Sequence, residues 1–463
     1  MSDAFERLNG HSRRAPSRDN PAPLDLAFLR AYGWAHFGKS LTWYFSELMF
    51  AYFLTEVCGL TPTAMGAGLA ASLIFSAVVD VFAGKSLATH LTSVQSACAL
   101  QIPGALGSGI TLVAFAATAL VPPNARLIYA IGCSCLFRLA FAFQDMPQNC
   151  ILALVHASDD ARIRLSARRL VFSGAASVIV AVATASLVGV DRAQGKILFL
   201  IVSLLLAGIG SAGAFLLGMS TSKLSSIAPV SETSRELLYE RRYTLWAVLG
   251  LMFIVAGSTS VFGRLESYFA ARALADTAAR TVVLVSIAAG MVSLQPAWAW
   301  LLRRFGARDA FRASAAALST GCALFFFTER NVGAVAFAGM IYGCGYGGLT
   351  LVLWSAVARL AASHVGREVA VAPALGFGLL TAFSRLAAAL SILGVGLLLS
   401  RIDYHSREVA SSWLLLAPMT GAPLVGGLIC FLWASVLPAR YRHTPLSLPA
   451  PPRLQTRFPA SGR

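Results

Sequence analysis

The sequence predicts an all-α membrane protein: twelve transmembrane helices in two six-helix bundles, with both termini cytoplasmic. Three observations predict it. Of 463 residues, 57% are hydrophobic and only 13% charged, with a mean hydropathy of +0.69; a soluble domain carries roughly a quarter charged residues. Apolar stretches recur twelve times, each long enough for a hydrocarbon slab ~30 Å thick, which takes about 20 helical residues. The cations are spread unevenly between alternate loops, which sets orientation.

In order, residues 1–24 form a polar arm rich in Arg, Ser and Pro. No apolar core follows at signal-peptide spacing, so the arm is expected to be disordered and cytoplasmic. The N-terminal bundle, 25–219, holds spans at about 28–56, 62–87, 95–120, 125–154, 167–189 and 197–219. A polar stretch, 220–242, falls midway and reads as a cytoplasmic linker. The C-terminal bundle, 243–437, holds spans at about 243–270, 279–302, 310–328, 332–360, 368–400 and 411–437. The Pro-rich residues 438–463 are expected to form a disordered cytoplasmic tail. Six helices, a linker and six helices is the plan of a two-halved secondary transporter.

Loops after even-numbered spans carry Arg162, Arg164, Arg168 and Arg169, then Lys223, Arg235, Arg241 and Arg242, then Arg303, Arg304, Arg308 and Arg312. Loops after odd-numbered spans carry one or two cations each, such as Arg126 or Arg330. That asymmetry places the termini inside. It also accounts for the net charge of +16: the cations are scattered, without a basic helix interleaved with aromatics, so no nucleic-acid partner is expected. The expected partners are a small-molecule substrate and membrane lipids, with the chain a monomer. Most of the eight cysteines lie in apolar runs and read as buried thiols. The histidines lack metal-ligand spacing, and no Ser or Cys sits in a nucleophile elbow. Hence no enzyme, metal or cofactor is expected.

The stretch that organises the chain is Arg138-Leu-Ala-Phe-Ala-Phe-Gln144-Asp145-Met-Pro147-Gln148-Asn149, followed by the charged Ser158–Arg169 loop. Arg138 and Asp145 lie seven residues apart, about two turns, on one helix face. Ionisable groups at membrane depth face a polar cavity or each other, so Asp145 leads the candidate residues. Lys39, Trp43 and Glu47 share a face at four-residue spacing; a self-satisfied Lys–Glu arrangement and a substrate-facing one both fit. Arg264 and Glu266 are expected to snorkel near the outer end of helix 7. Arg385 lies too deep to snorkel and is expected to face the cavity. Four cations (Lys39, Arg138, Arg264, Arg385) against four carboxylates (Glu47, Asp80, Asp145, Glu266) give a net positive cavity once one carboxylate is protonated, which hints at an anionic or amphipathic solute. The glycines of helix 10 (Gly339, Gly343, Gly345, Gly347, Gly348) and helix 11 (Gly376, Gly378) fit either gating or tight packing.

The exit of helix 8, Pro296 through Arg303-Arg304-Phe-Gly306-Ala-Arg308, resembles the cytoplasmic loop motif of the major facilitator superfamily, and Asp80-Val-Phe-Ala-Gly84-Lys85 ends helix 2 at the equivalent place. Three further stretches resemble its glycoside–pentoside–hexuronide:cation symporter family, of melibiose-carrier type: Tyr32–Ser40 with Leu54–Leu60, Ser76–Gly84, and Gln144–Arg169. The resemblance covers the first 180 residues well and the second half mainly in layout.

Residue by residue, the resemblance assigns Asp80 to the second carboxylate of the family's helix 2 cation site, whose first carboxylate is Ser76 here. Ser40 replaces the helix 1 aspartate that contacts sugar, and Asn149 replaces a sugar-stacking tryptophan. Asp145 is kept. Arg169, or alternatively Arg168, falls where an arginine contacts substrate, and Arg385 where some members carry a lysine near the cation site. The substrate-binding candidates are therefore Lys39, Ser40, Trp43, Arg138, Asp145, Asn149, Arg169 and Arg385; the cation-coupling candidates are Ser76, Asp80 and Asp145. With a carboxylate missing, the site suits H⁺ better than Na⁺, which wants several oxygen ligands and more negative charge. Pairing of Asp80 with Lys39 or Arg385 is the structural alternative. The resulting expectation is proton-coupled symport of a sugar, sugar acid or similar solute by alternating access. A lipid or lysolipid carrier, or a non-transporting sensor on a transporter scaffold, is the alternative; polar against oily cavity-facing positions on helices 2 and 4 separates the first of these.

Overall fold

The computed structural model describes residues 25–87, 90–91, 93–155, 159–220, 235–274, 276–328, 331–362, 364–365, 368–369, 373–406 and 413–436. The terminal arm and tail, and residues 221–234 of the linker, lie outside the described residues. Apart from a two-residue antiparallel pairing (364–365 with 368–369), the elements among the described residues are helices. The first half comprises α1 (Leu26–Tyr52), α2 (Pro62–Leu87), α3 (Val94–Ala116), α4 (Arg126–Leu154), α5 (Asp159–Leu187) and α6 (Arg192–Met219). The second comprises α7 (Arg235–Ala273), α8 (Thr277–Ser293), α9 (Gln295–Phe305), α10 (Ala307–Phe327), α11 (Val332–Ala362), α12 (Pro373–Leu399) and α13 (Trp413–Val436).

Local chemistry sets several boundaries. Asp25, Asp191 and Asp276 cap α1, α6 and α8 through side-chain oxygens that accept from backbone N–H groups of the first turn. Past Tyr52, α1 widens into a π-helical turn, Phe53–Val57, and Gly59, at φ +72°, closes it. The span expected at 279–302 is broken at Leu294 into α8 and α9. Pro296, in the first turn of α9, has no N–H to continue the helical ladder, and Gln295 Nε2 donates instead to Met291 O at 2.7 Å. Gly306, at φ +89°, makes the turn from α9 into α10. Helix α7 starts at Arg235, so the last eight residues of the stretch read as linker are helical.

Ten of the described helical segments are long and apolar enough to cross a membrane. Helix α1, interrupted by Arg30, Lys39 and Glu47, is not among the ten, and α5 contributes a shorter apolar segment, Val171–Leu187. The chain is a multi-pass membrane protein.

Within the first half, α3 packs on α4 and α6, and α1 on α5 and α6; within the second, α11 packs on α8 and α10, and α7 on α12 and α13. The halves meet along α2–α12 and α5–α8, with α1 crossing α7. The α11 glycines belong to packing inside the second half: a Cβ on Gly343 would come within 2.2 Å of Ile287 O, and one on Gly345 within 2.1 Å of the Leu318 backbone. Gly378 instead lies between the halves, where a Cβ would meet Asp80 O at 2.6 Å. Gly84, read as part of an exit turn, is helical, and its bare surface lets α2 approach Ala374.

Contacts also fix the direction of the helices. Glu47 and Glu56 of the first helix meet Arg264 and Arg272 of α7, so α1 and α7 run parallel. Arg308, at the start of α10, donates to the carbonyls of Ala434 and Ser435 at the end of α13, both at 2.6 Å. The described ends of the chain, Leu26 and Val436, therefore lie at one end of the bundle. The opposite end is called distal below.

Candidate functional site

Helix α1 carries Tyr32, His36, Lys39, Trp43 and Glu47 at spacings of three and four, hence on one face, and that face is turned to α4, α7 and α12. Lys39 does not pair with Glu47. Its Nζ donates to Asp145 Oδ1 on α4 at 2.7 Å and to Asn149 Oδ1 at 3.4 Å. Glu47 holds two arginines: Arg138 on α4, through Nη1 at 3.0 Å, and Arg264 on α7, which also donates to Glu47 O. Arg264 is thus no snorkelling residue. It is 3% exposed and binds inward, because a carboxylate of the other half stands within reach. Glu266 likewise is buried, 6% exposed.

The second crossing between halves is Asp80 on α2 with Arg385 on α12, where Nε donates to Oδ2 at 2.5 Å. Both side chains are 3% exposed. Trp43 sits between two guanidinium groups, Arg385 at 4.7 Å and Arg138 at 5.4 Å from its ring centre, and stacks on Phe141 at 5.3 Å. A ring so placed favours cations over its faces. Asp80, Asp145 and Asn149 come together with Ala142, Met146, Phe377 and Thr381 around a crevice too narrow to admit a water molecule. Several buried polar atoms here lack a partner: Ser76 Oγ, Asn149 Nδ2, Arg138 Nε and Arg385 Nη1.

Of the sequence-derived candidates, Lys39, Trp43, Asp80, Arg138, Asp145, Asn149 and Arg385 gather around this centre, with buried Ser76 one turn from Asp80. Ser40 lies elsewhere: it turns to α5 and donates to Ser173 at 2.9 Å. Arg169 lies over Trp354 of α11 at 4.6 Å and near enough to Lys39 and Asp145 for its charge to act on both. Sequence reasoning missed Thr381, though it stands one turn before Arg385, and missed Glu47 as the junction of two arginines. Four-residue spacing pointed Glu47 at Lys39, and only packing brings α4 and α7 within reach.

The distal end is clasped across the halves by Glu56. Its carboxylate receives Arg272 Nη2 of α7 at 3.1 Å and the Tyr404 hydroxyl, beyond α12, at 3.2 Å; His405 Nε2 lies at 3.5 Å. Burial, with the Glu56 carboxylate beside it, holds the Tyr404 hydroxyl above the usual tyrosine range, so it stays a donor. Thr55 bonds Tyr268 at 3.0 Å one turn away. Glu56→Gln is expected to loosen this clasp. A single cysteine introduced at Thr55, in a chain whose native cysteines are replaced, should then react with a membrane-impermeant maleimide several-fold faster than with Glu56 intact; an unchanged rate would show that the clasp holds nothing shut.

A family model described as MFS/sugar transport protein matches residues 31–444. The chain belongs to that family. As an MFS protein it is a secondary transporter and not an enzyme. Among solved structures, the nucleoside transporter NupG aligns over 89% of this chain and 100% of its own, with a TM-score of 0.57 and 11% identity. An aspartate-to-alanine variant of NupG aligns over 88% and 99%, with a TM-score of 0.58 and 11% identity. At that identity the likeness establishes the MFS fold and says nothing about the solute. No curated protein sequence matches the chain at a significant level.

Proposed function

We propose that this MFS protein is a carrier of the glycoside–pentoside–hexuronide type, moving a small anionic solute such as a sugar acid by alternating access, coupled to H⁺. The observation that carries the reading is the charge balance at the centre. Lys39, Arg138, Arg264 and Arg385 face only Glu47, Asp80 and Asp145, because Arg138 and Arg264 share one carboxylate. One positive charge is left over, and unpartnered N–H groups on Arg138 and Arg385 point the same way. A carboxylate on the solute would neutralise it, and guanidinium groups bind carboxylates with good geometry. A sugar face would lie against Trp43.

The pairs already formed support coupling to H⁺. Asp80 and Asp145 each hold a cation from the protein, so Na⁺ would have to displace a guanidinium or ammonium and then find further oxygens. A proton needs only one oxygen and, by neutralising the aspartate, releases Arg385 or Lys39 to the solute. Against a lipid cargo, the oily residues of α2 and α4 point outward: Ile74, Phe75, Val78 and Phe82, then Ile128, Leu136 and Leu139, are exposed on the bundle surface. The crevice side of these helices carries Asp80, Asp145 and Asn149.

In this reading α1 and α5 also cross the bilayer, giving twelve spans in a monomer. Their charged residues are tolerated because neighbouring helices shield them. The cation-rich loops favour a cytoplasmic position for the end that holds Leu26 and Val436.

The test is proton uptake by proteoliposomes challenged with sugars and with uronates, comparing wild type with Asp145→Asn. Uronate-driven alkalinisation outside the vesicles, lost by at least tenfold in the variant, is the expected result. Flux of neutral sugars with no affinity for uronates would overturn the anionic assignment. Flux without proton movement would overturn the coupling.

A further inference from the structure

We propose that Glu266 on α7 is a proton-binding site in the second half of the carrier, separate from Asp80 and Asp145. Its role in transport rests on the proton-coupled reading above. Its occupancy does not, and it can be measured without any solute.

The argument starts from a contrast among the carboxylates near the bundle centre. Glu47 holds Arg138 and Arg264, Asp80 holds Arg385, and Asp145 holds Lys39. Glu266 is as deeply placed, 6% exposed, yet none of the ion pairs among the described residues includes it. The nearest cation along its own helix, Arg264, is committed to Glu47. Residues two apart on a helix do not face one another, so the two point to different neighbours. Arg264 reaches across to the first half, and Glu266 faces into the second.

What lies on that side is aromatic. Tyr342 of α11 stands near enough to Glu266 for the carboxyl's charge to act on it. Its ring stacks on Phe262, one turn before Glu266, at 4.0 Å; Phe262 in turn packs edge-on to Phe325 of α10 at 5.3 Å. The other titratable groups on this side are Tyr346 of α11 and Cys322 of α10; like Tyr342 they bring no positive charge at neutral pH. A carboxylate so enclosed, with no cation paired to it, is costly to keep charged, and the chemical remedy for that is a proton. Bound as the acid, the side chain is neutral and compatible with its aromatic walls.

The position also provides a route for exchange. Glu266 stands between the Arg264–Glu47 contact and, two turns further on, the Arg272–Glu56 clasp. When the halves part at the distal end, both contacts open, water reaches this part of α7, and Arg264 loses its carboxylate. An unpaired guanidinium on the same helix then favours an ionised Glu266. The proton is held while the distal end is shut and exchanges with water when it opens.

The experiment is infrared spectroscopy of the full-length protein in lipid at neutral pH, comparing wild type with Glu266→Gln and Asp145→Asn. Glutamine has the shape of the neutral acid, so the fold is expected to persist, with an unchanged melting temperature as the check. The expected result is a protonated-carboxyl C=O band that disappears in Glu266→Gln and survives in Asp145→Asn. An identical carboxyl region in wild type and Glu266→Gln would overturn the assignment. If Glu266→Gln does not fold, wild-type protein treated with a hydrophobic carbodiimide, which reacts with protonated carboxyls in apolar sites, decides the matter. Peptide mass spectrometry is expected to find the adduct at Glu266, and adducts elsewhere alone would refute the proposal. Proteoliposomes that move no protons would sink the coupling reading while leaving the band in place, so the two failures are distinguishable.

Discussion

Replacing Arg385 by alanine is expected to cost the protein about 3–5 kcal/mol of stability, because it strands a carboxylate that is otherwise fully enclosed. Asp80→Asn is expected to be destabilising for the mirror reason, leaving a buried guanidinium without its counter-charge. Replacing the two together, Asp80→Asn with Arg385→Met, should return most of the loss, since exchanging a buried ion pair for neutral groups of similar volume is often near neutral. Thermal melting of wild type, Asp80→Asn, Arg385→Met and the double variant in one detergent closes the cycle. Single effects that simply add, within about 0.5 kcal/mol, would show that Asp80 and Arg385 do not work as a pair. The same four proteins separate structure from coupling. A stable double variant that still carries solute but no longer moves protons would make Asp80 a coupling residue; one that does both would leave it a strut between α2 and α12.

Much of this arrangement was legible in the chain. Spacing alone put Lys39, Trp43 and Glu47 on one face of α1, and Arg138 with Asp145 on one face of α4, because the helical period is fixed. Depth alone marked Arg385 as cavity-facing. Partners were not legible, since they depend on how helices from distant parts of the sequence are juxtaposed. Lys39 looks equally able to bond Glu47 on its own helix or Asp145 on another, and packing sends it to Asp145. Arg264 was misread for the same reason: position near a helix end suggests snorkelling, but the carboxylate that holds it is 217 residues earlier in the chain. The span expected at 279–302 stands as one apolar stretch, Thr277–Phe305, but Pro296 interrupts its helix, a break the apolar run concealed. The π-helical turn at Phe53–Val57, which delivers Glu56 to the distal clasp, carries no composition signal.

The most severe single loss is expected from Glu47→Gln. Arg138 and Arg264 then lose their only carboxylate at once, and three guanidinium groups, counting Arg385, face two carboxylates and Lys39. Each stranded charge is worth a broken pair, so the cost should exceed the about 3–5 kcal/mol of a single disruption. The melting temperature of the variant should accordingly fall below that of Arg385→Ala. Glu47→Asp keeps the charge at shorter reach and should retain part of the stability. Arg264→Met in the Glu47→Gln background removes one of the two stranded cations and should rescue part of it too; no rescue would mean that Arg264 does not depend on Glu47. The variant also offers a test of the surplus charge. If an anionic solute binds among these arginines, it supplies the negative charge that Glu47→Gln lacks. A uronate should therefore raise the melting temperature of Glu47→Gln by more than it raises that of the wild type, whereas the neutral sugar of the same shape should not. Equal shifts in the two proteins would place the solute's carboxylate away from Arg138 and Arg264, and leave Lys39 and Arg385 as the groups able to receive it.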